Sequence, residues 1–80
     1  MCITPAQSRA ARALLGWSQA DLATAARVAR ATLAEFEAGT RSPYPRTLDD
    51  IREALEKAGV VFIPENGGGA GVRLKRARHK

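Results

Sequence analysis

Apolar residues recur at helical spacing over most of the first 58 positions, and the pattern then tightens to that of strands. Ala6, Ala10, Ala13 and Leu14 stand at i, i+4, i+7 and i+8, with Arg9 and Arg12 off that line, which predicts a helix from Pro5 to Leu15 with the alanines inward. Thr4 suits its N-cap, Pro5 its first position, and Gly16 the stop just past its end. Ser18 predicts the cap of a second helix from Gln19 to about Ala26, with Asp21 placed to complete a near capping box and Leu22, Ala23 and Ala26 as the apolar stripe. A third helix is expected from about Ala29 to Ala38, with Leu33 and Phe36 inward and Gly39 as its end. Thr40 to Pro45, with two prolines, reads as a loop. A fourth helix is expected from about Thr47 to Ala58, capped by Thr47, with Asp49 and Asp50 near its positive end and Lys57 near its negative one. Leu48, Ile51, Leu55 and Ala58 share one of its faces, and Gly59 stops it.

Beyond Gly59 the period changes. Val60-Val61-Phe62-Ile63 is a continuous apolar run rich in β-branched residues, as in a strand buried on both faces. Glu65 to Gly71 is a polar, glycine-rich turn, and Val72 and Leu74 then alternate with Arg73 and Lys75. Residues 60–76 therefore predict a β-hairpin. A lone hairpin is marginal in water, and a strand apolar on both sides needs two covers. The helical body supplies one. A second copy of the chain is expected to supply the other, through Val61, Phe62, Ile63, Val72 and Leu74.

Composition narrows the function classes. Eighty residues, 45% of them hydrophobic and 26% charged, fit one small ordered domain with a thin core. No apolar run approaches the roughly 20 residues of a membrane span, and Met1-Cys2-Ile3-Thr4-Pro5 lacks the layout of a signal peptide. A lone Cys2 forms no intrachain disulfide, so a reducing, cytoplasmic setting is expected. Cys2 and the lone His79 cannot supply the roughly four ligands of a structural zinc site. No serine has a nucleophile's context, and the acidic residues of the fourth helix lack metal-ligand spacing. Gly67-Gly68-Gly69-Ala70-Gly71 has Val72 where a phosphate-binding GxGxxG needs glycine, and a strand follows instead of a helix. Neither an enzyme nor a cofactor is expected.

The net charge of +5 is unevenly placed. Residues 1–72 hold eight basic and eight acidic groups; residues 73–80 hold five basic groups and no acid. Within the neutral part, residues 27–46 carry Arg27, Arg30, Arg41 and Arg46 against Glu35 and Glu37, whereas residues 49–56 carry Asp49, Asp50, Glu53 and Glu56 against Arg52. A basic segment on a folded body points to a polyanion as partner. The basic end either adds non-specific affinity for nucleic acid or is a solvated terminus.

The short link at Arg27-Val28 between the second and third helices is the layout of a helix-turn-helix, whose second helix enters the DNA major groove. Trp17-Ser18-Gln19-Ala20-Asp21-Leu22-Ala23, Ala26-Arg27-Val28, Thr32-Leu33 and Phe36-Glu37-Ala38-Gly39 together resemble the Cro/C1-type (Xre-like) helix-turn-helix family over about residues 6–58. The stretch from Phe62-Ile63-Pro64-Glu65-Asn66-Gly67-Gly68-Gly69 to Leu74 is similar to the end of short bacterial members of that family, which are transcriptional regulators. The resemblance implies a mainly α, four-helix domain over residues 1–59, a dimerisation hairpin over 60–76 and a basic tail over 77–80. It implies double-stranded DNA as partner and a homodimeric repressor bound to an inverted-repeat operator. The alternative is an antitoxin or a protein-binding adaptor built on the same domain.

Residue roles follow from the same resemblance. Arg30, Ala31 and Glu35 occupy base-reading positions: Arg30 can pair bidentately with guanine, Glu35 can accept from cytosine N4, and Ala31 can touch a thymine methyl group. Ser18 and Gln19 begin the second helix, where side chain and backbone can meet a phosphate. Arg27, Thr32, Arg41 and Arg46 are expected near the DNA backbone or minor groove. Arg12 and Glu37 match a structural ion pair of the family, and Trp17 and Phe36 are expected in the core; Tyr44 fits either a packing or a DNA-facing role. Two departures stand out. Arg27 replaces the usual glycine of the turn, which costs on the order of 1 kcal/mol at positive φ. Ala29 replaces the usual Ser or Thr cap of the third helix, and a bond of roughly 1 kcal/mol is lost with it.

Overall fold

Polar punctuation sets the helix starts. The structure is a computed structural model and describes residues 3–65 and 67–75. Helix α1 spans Pro5–Leu15, α2 Gln19–Ala26, α3 Arg30–Ala38 and α4 Pro45–Lys57; strands β1 (Val60–Ile63) and β2 (Gly71–Leu74) follow. Thr4 and Gln7 form a full capping box on α1, and Ser18 and Asp21 form another on α2. Gly16 and Gly39 end α1 and α3 in left-handed backbone, at φ 70° and 78°. The chain is thus a mainly α, four-helix body with a C-terminal hairpin, as the pattern predicts. The basic tail expected over 77–80 lies outside the described residues, as do Arg76, Cys2 and Asn66.

The fourth helix starts two residues before the expected position. Pro45 takes its first position, where a missing N–H costs nothing, and Tyr44 stands at the N-cap without a side-chain bond. Thr47 therefore lies inside the helix and caps nothing, and no acid falls in the first turn. Asp49 instead pairs with Arg52 at 3.6 Å, and Arg52 with Glu56 at 3.2 Å. Ile51 and Leu55 are buried as expected, Leu48 is half-buried, and Ala58 is exposed.

Helix α1 is rotated from the expected face. Ala6, Ala10, Ala13 and Leu14 are exposed, whereas Gln7, Ser8 and Ala11 are buried and Leu15 is half-buried. An exposed alanine forfeits little transfer free energy, while the buried polar side chains are tolerated because each has partners. The Gln7 amide Nε2 donates to the Ile63 and Gly71 carbonyls, at 3.3 and 2.9 Å, and so ties α1 to both strands.

Leu22, Leu33, Ile51 and Leu55 are fully buried, and Ile3, Ala11, Phe36, Val60 and Phe62 close the core around them. The strands pair antiparallel, with Val60 opposite Leu74, Val61 opposite Arg73, Phe62 opposite Val72 and Ile63 opposite Gly71. The two-residue period puts Val60, Phe62, Val72 and Leu74 on the face that packs against the helices. Val61 and Ile63 lie on the other face, half-buried. The first strand is therefore covered on one side by its own body. Phe62 belongs to this chain's core instead of to a surface awaiting a second copy. Among the described residues, no helix is long and apolar enough to cross a membrane.

Candidate nucleic-acid interface

The turn between α2 and α3 keeps its geometry without glycine. Arg27 adopts φ 60°, the only positive φ at a non-glycine residue among those described. The backbone N–H groups of Arg27 and Val28 donate to the Thr24 and Ala23 carbonyls, at 3.3 and 3.0 Å, which closes the end of α2. Ala29 makes no side-chain cap bond, as its chemistry requires.

A buried carboxylate fixes how α3 lies against α1 and α2. Arg12 donates to Glu37 through Nε, at 3.2 and 3.0 Å to the two oxygens, and through Nη2 at 2.8 Å. Ser8 Oγ and Gln19 Nε2 donate to the same carboxylate, at 2.5 and 3.1 Å. Arg9 reaches the Glu37 backbone carbonyl, and Arg12 Nη1 holds the Trp17 carbonyl at 3.1 Å. The Glu37 side chain is 1% exposed. Burial opposes its ionisation, but the hydrogen bonds from Arg12, Ser8 and Gln19, with the Arg12 charge, outweigh burial and hold its pKa below the ordinary value. The expected Arg12–Glu37 pair is present as the centre of a larger network. Ser8 and Arg9 carry no local pattern that marks them as its members, and Gln7 is visible only as the third residue of a capping box.

Around this anchor the outer face of α3 stands free. Arg30 and Ala31 are exposed and Ala34 is half-buried; with Gln19 of α2 they line an open, mostly apolar cleft. Gln19 stands at the first position of α2, its amide shared with Glu37. Ser18 is exposed, its hydroxyl receiving the Asp21 N–H at 3.0 Å. Past Gly39, Arg41 Nη1 pairs with Glu35 Oε1 at 3.3 Å, both well exposed. Thr32 and Arg41 line a second open cleft with Ser42, Pro43, Tyr44 and Thr47. Tyr44 is 82% exposed, so the structure gives it no packing role. Arg46 is exposed on the first turn of α4.

The candidate residues thus fall into neighbouring groups. Gln19, Arg30 and Ala31 share one cleft, and Thr32 and Arg41 share another. Arg27 lies apart, in a groove lined by Asp50, Glu53 and Glu56 of α4. Ala34 is an addition that sequence reasoning missed, although its i+3 and i+4 spacing from Ala31 and Arg30 places it on their face. Among the described residues of the glycine-rich turn, Glu65 Oε2 accepts from the Gly67 and Gly69 N–H groups, both at 3.1 Å.

A family model described as Helix-turn-helix, of the Cro/C1 type, matches residues 9–60, well over half of the chain. No curated protein matches the chain significantly.

Proposed function

The chain belongs to the Cro/C1-type helix-turn-helix family of DNA-binding transcription regulators, and from that premise we propose that it is a homodimeric repressor that reads an inverted-repeat operator. The observation that carries this reading is the free outer face of α3, with Arg30 and Ala31 exposed, beside an α2 N-terminus tied to the same Glu37 carboxylate. Such a pair of helices meets a duplex in a defined way. The N-terminus of α2 approaches a phosphate, where its N–H groups and positive dipole end favour an anion. Helix α3 then lies in the major groove. Arg30 donates bidentately to guanine and Ala31 meets a thymine methyl group. Glu35 accepts from cytosine N4 once it leaves Arg41.

Ser18, Gln19, Thr32 and Arg41 contact the backbone, which positions the protein without reading sequence. Arg46 approaches the backbone or the adjacent minor groove. The helical part over 1–59 binds DNA and the hairpin over 60–76 joins two copies. Val61 and Ile63 on the outer sheet face make the joint, while Phe62, Val72 and Leu74 stiffen it from inside. A two-fold pair demands half-sites about 34 Å apart, one helical turn, or a multiple of that. Repression follows from covering a promoter.

The test is selection of bound duplexes from a random library with the full chain. A palindromic consensus with one guanine per half-site that becomes degenerate for Arg30→Ala is expected. Recovery of no consensus, or of a single non-repeated site, overturns the reading.

A further inference from the structure

The groove that Arg27 lines also carries acid. It lies between the end of α2 and α4, and Asp50, Glu53 and Glu56 line it together with Arg27, Lys57 and three alanines. The three acids stand at i, i+3 and i+6, a stripe of exposed side chains along α4. Glu56 pairs with Arg52 at 3.2 Å. Asp50 and Glu53 have no ion-pair partner among the described residues, Arg27 and Lys57 included. Two unpaired carboxylates on successive turns favour a cation from elsewhere.

The chain carries such cations within reach. Residues 76–80, Arg-Ala-Arg-His-Lys, hold the bases Arg76, Arg78 and Lys80 and no acid. The Lys75 N–H donates to the Gly59 carbonyl at 2.6 Å, and the Gly59 N–H to the Glu56 carbonyl at 3.0 Å, so residue 75 stands beside the end of α4 where the groove begins. From Lys57 back to Asp50 is about 10 Å of helix. Five extended residues reach about 17 Å. Arg76, Arg78 and Lys80 fall on one side of an extended chain, as the acids fall in one stripe of α4.

We propose that this groove holds residues 76–80 of its own chain, their bases against Asp50 and Glu53, and that the contact keeps those bases off DNA. The docking stands on the groove and the chain alone; its effect on DNA rests on the DNA-binding reading above. Withholding three charges lowers the sequence-independent part of the affinity and leaves base readout untouched, which widens the margin between the operator and other DNA.

The first arm of the test uses the full chain without DNA. In ¹⁵N spectra at low salt, Asp50→Asn with Glu53→Gln is expected to shift the amides of residues 77–80, and Arg78→Glu with Lys80→Glu to shift those of Asp50 and Glu53. Both differences collapse in 1 M salt, where the screening length is about 3 Å. If neither pair moves the amides of the other, the docking is refuted. If the tail variant moves Arg30 to Glu35 instead, the groove is the wrong surface. Effects that disappear on dilution assign the tail to another molecule and overturn docking within one chain. The second arm measures binding to a duplex without the consensus against salt. Arg76→Gln with Arg78→Gln and Lys80→Gln should leave the slope unchanged. The groove variant should steepen it by up to about three units, about 0.9 for each freed base, and neutralising the tail in that variant should restore it. A slope that flattens when the tail alone is neutralised puts the tail on DNA and overturns the withholding. A steeper slope that persists without the tail's charge overturns it too. If no duplex binds at all, the DNA-reading function falls and the spectra still decide the docking.

Discussion

Arg12→Met removes the guanidinium from Glu37 and keeps much of the side chain's apolar stem. The carboxylate stays buried, with Ser8 and Gln19 as its remaining side-chain donors. Breaking a buried pair in this way costs about 3–5 kcal/mol, because an uncompensated charge is left behind. A domain of this size holds roughly 4–12 kcal/mol in total, so the midpoint of thermal unfolding should fall by more than about 12 °C. The double variant Arg12→Met with Glu37→Leu removes both charges and should regain most of that loss. The pH dependence separates electrostatics from packing. In the native protein the Glu37 pKa is below its ordinary value of 4.5. Its contribution is therefore present above that value and lost as pH falls through the depressed one. Without Arg12, burial dominates and raises the folded pKa above the unfolded one. Stability then increases as pH is lowered from neutrality, the reverse of the native slope. Urea unfolding of the three proteins from about pH 3 to about pH 7 (about half-unit steps) reads both effects, the native loss below the ordinary carboxylate value and the reversed slope of the variant above it. A loss under about 1 kcal/mol for Arg12→Met, with an unchanged pH slope, would refute the view that Glu37 anchors α3 through Arg12.

Other consequences are local. Arg27→Gly relieves the left-handed strain at φ 60° and should raise stability by up to about 1 kcal/mol in chemical denaturation; a decrease would show that the Arg27 stem packs usefully. Gln7→Leu strips two hydrogen bonds from the strand carbonyls at a cost of about 1–3 kcal/mol. Amide exchange should then quicken over β1 and β2 before α2 and α3, and uniform quickening would deny Gln7 its role as a clamp. Ile63→Asp places a charge on the outer face of the hairpin and should shift light scattering from dimer to monomer with the circular dichroism of the helices retained; a persistent dimer would move the joint elsewhere. Arg41→Ala should weaken binding to all duplexes alike and flatten the salt slope by about one unit; an unchanged slope would take Arg41 off the DNA backbone.

Helix boundaries were legible wherever a capping side chain or a stopping glycine marked them, as at Thr4, Ser18, Gly16 and Gly39. They failed at α4, where Thr47 has a cap's chemistry but Pro45 has the stronger claim on the first position. The face of α1 was misread for a related reason. Periodicity counts apolar residues, and the buried side of this helix is held by Gln7 and Ser8, whose partners lie 29 to 64 residues away. The hairpin was legible as strands and turn, but the run Val60 to Ile63 hides an ordinary alternation: Val60 and Phe62 inward, Val61 and Ile63 outward. Because all four are apolar, only the packing tells the two faces apart. In the candidate interface, Arg30, Ala31 and Gln19 line one cleft, whereas Arg27 lines a separate groove with Asp50, Glu53, Glu56 and Lys57. Its position in the sequence marks the turn, not which groove of the folded chain it lines.

The most direct test of how this chain meets DNA is an NMR titration of the ¹⁵N-labelled protein with its selected duplex, read residue by residue. Docking through the helix-turn-helix predicts that the largest amide shifts gather at Ser18 to Ala20, at Arg30 to Glu35 and at Thr40 to Arg41, with the Asp50-to-Glu56 face of α4 unmoved. Shifts centred on α4 or on the hairpin, with those three segments silent, would contradict it.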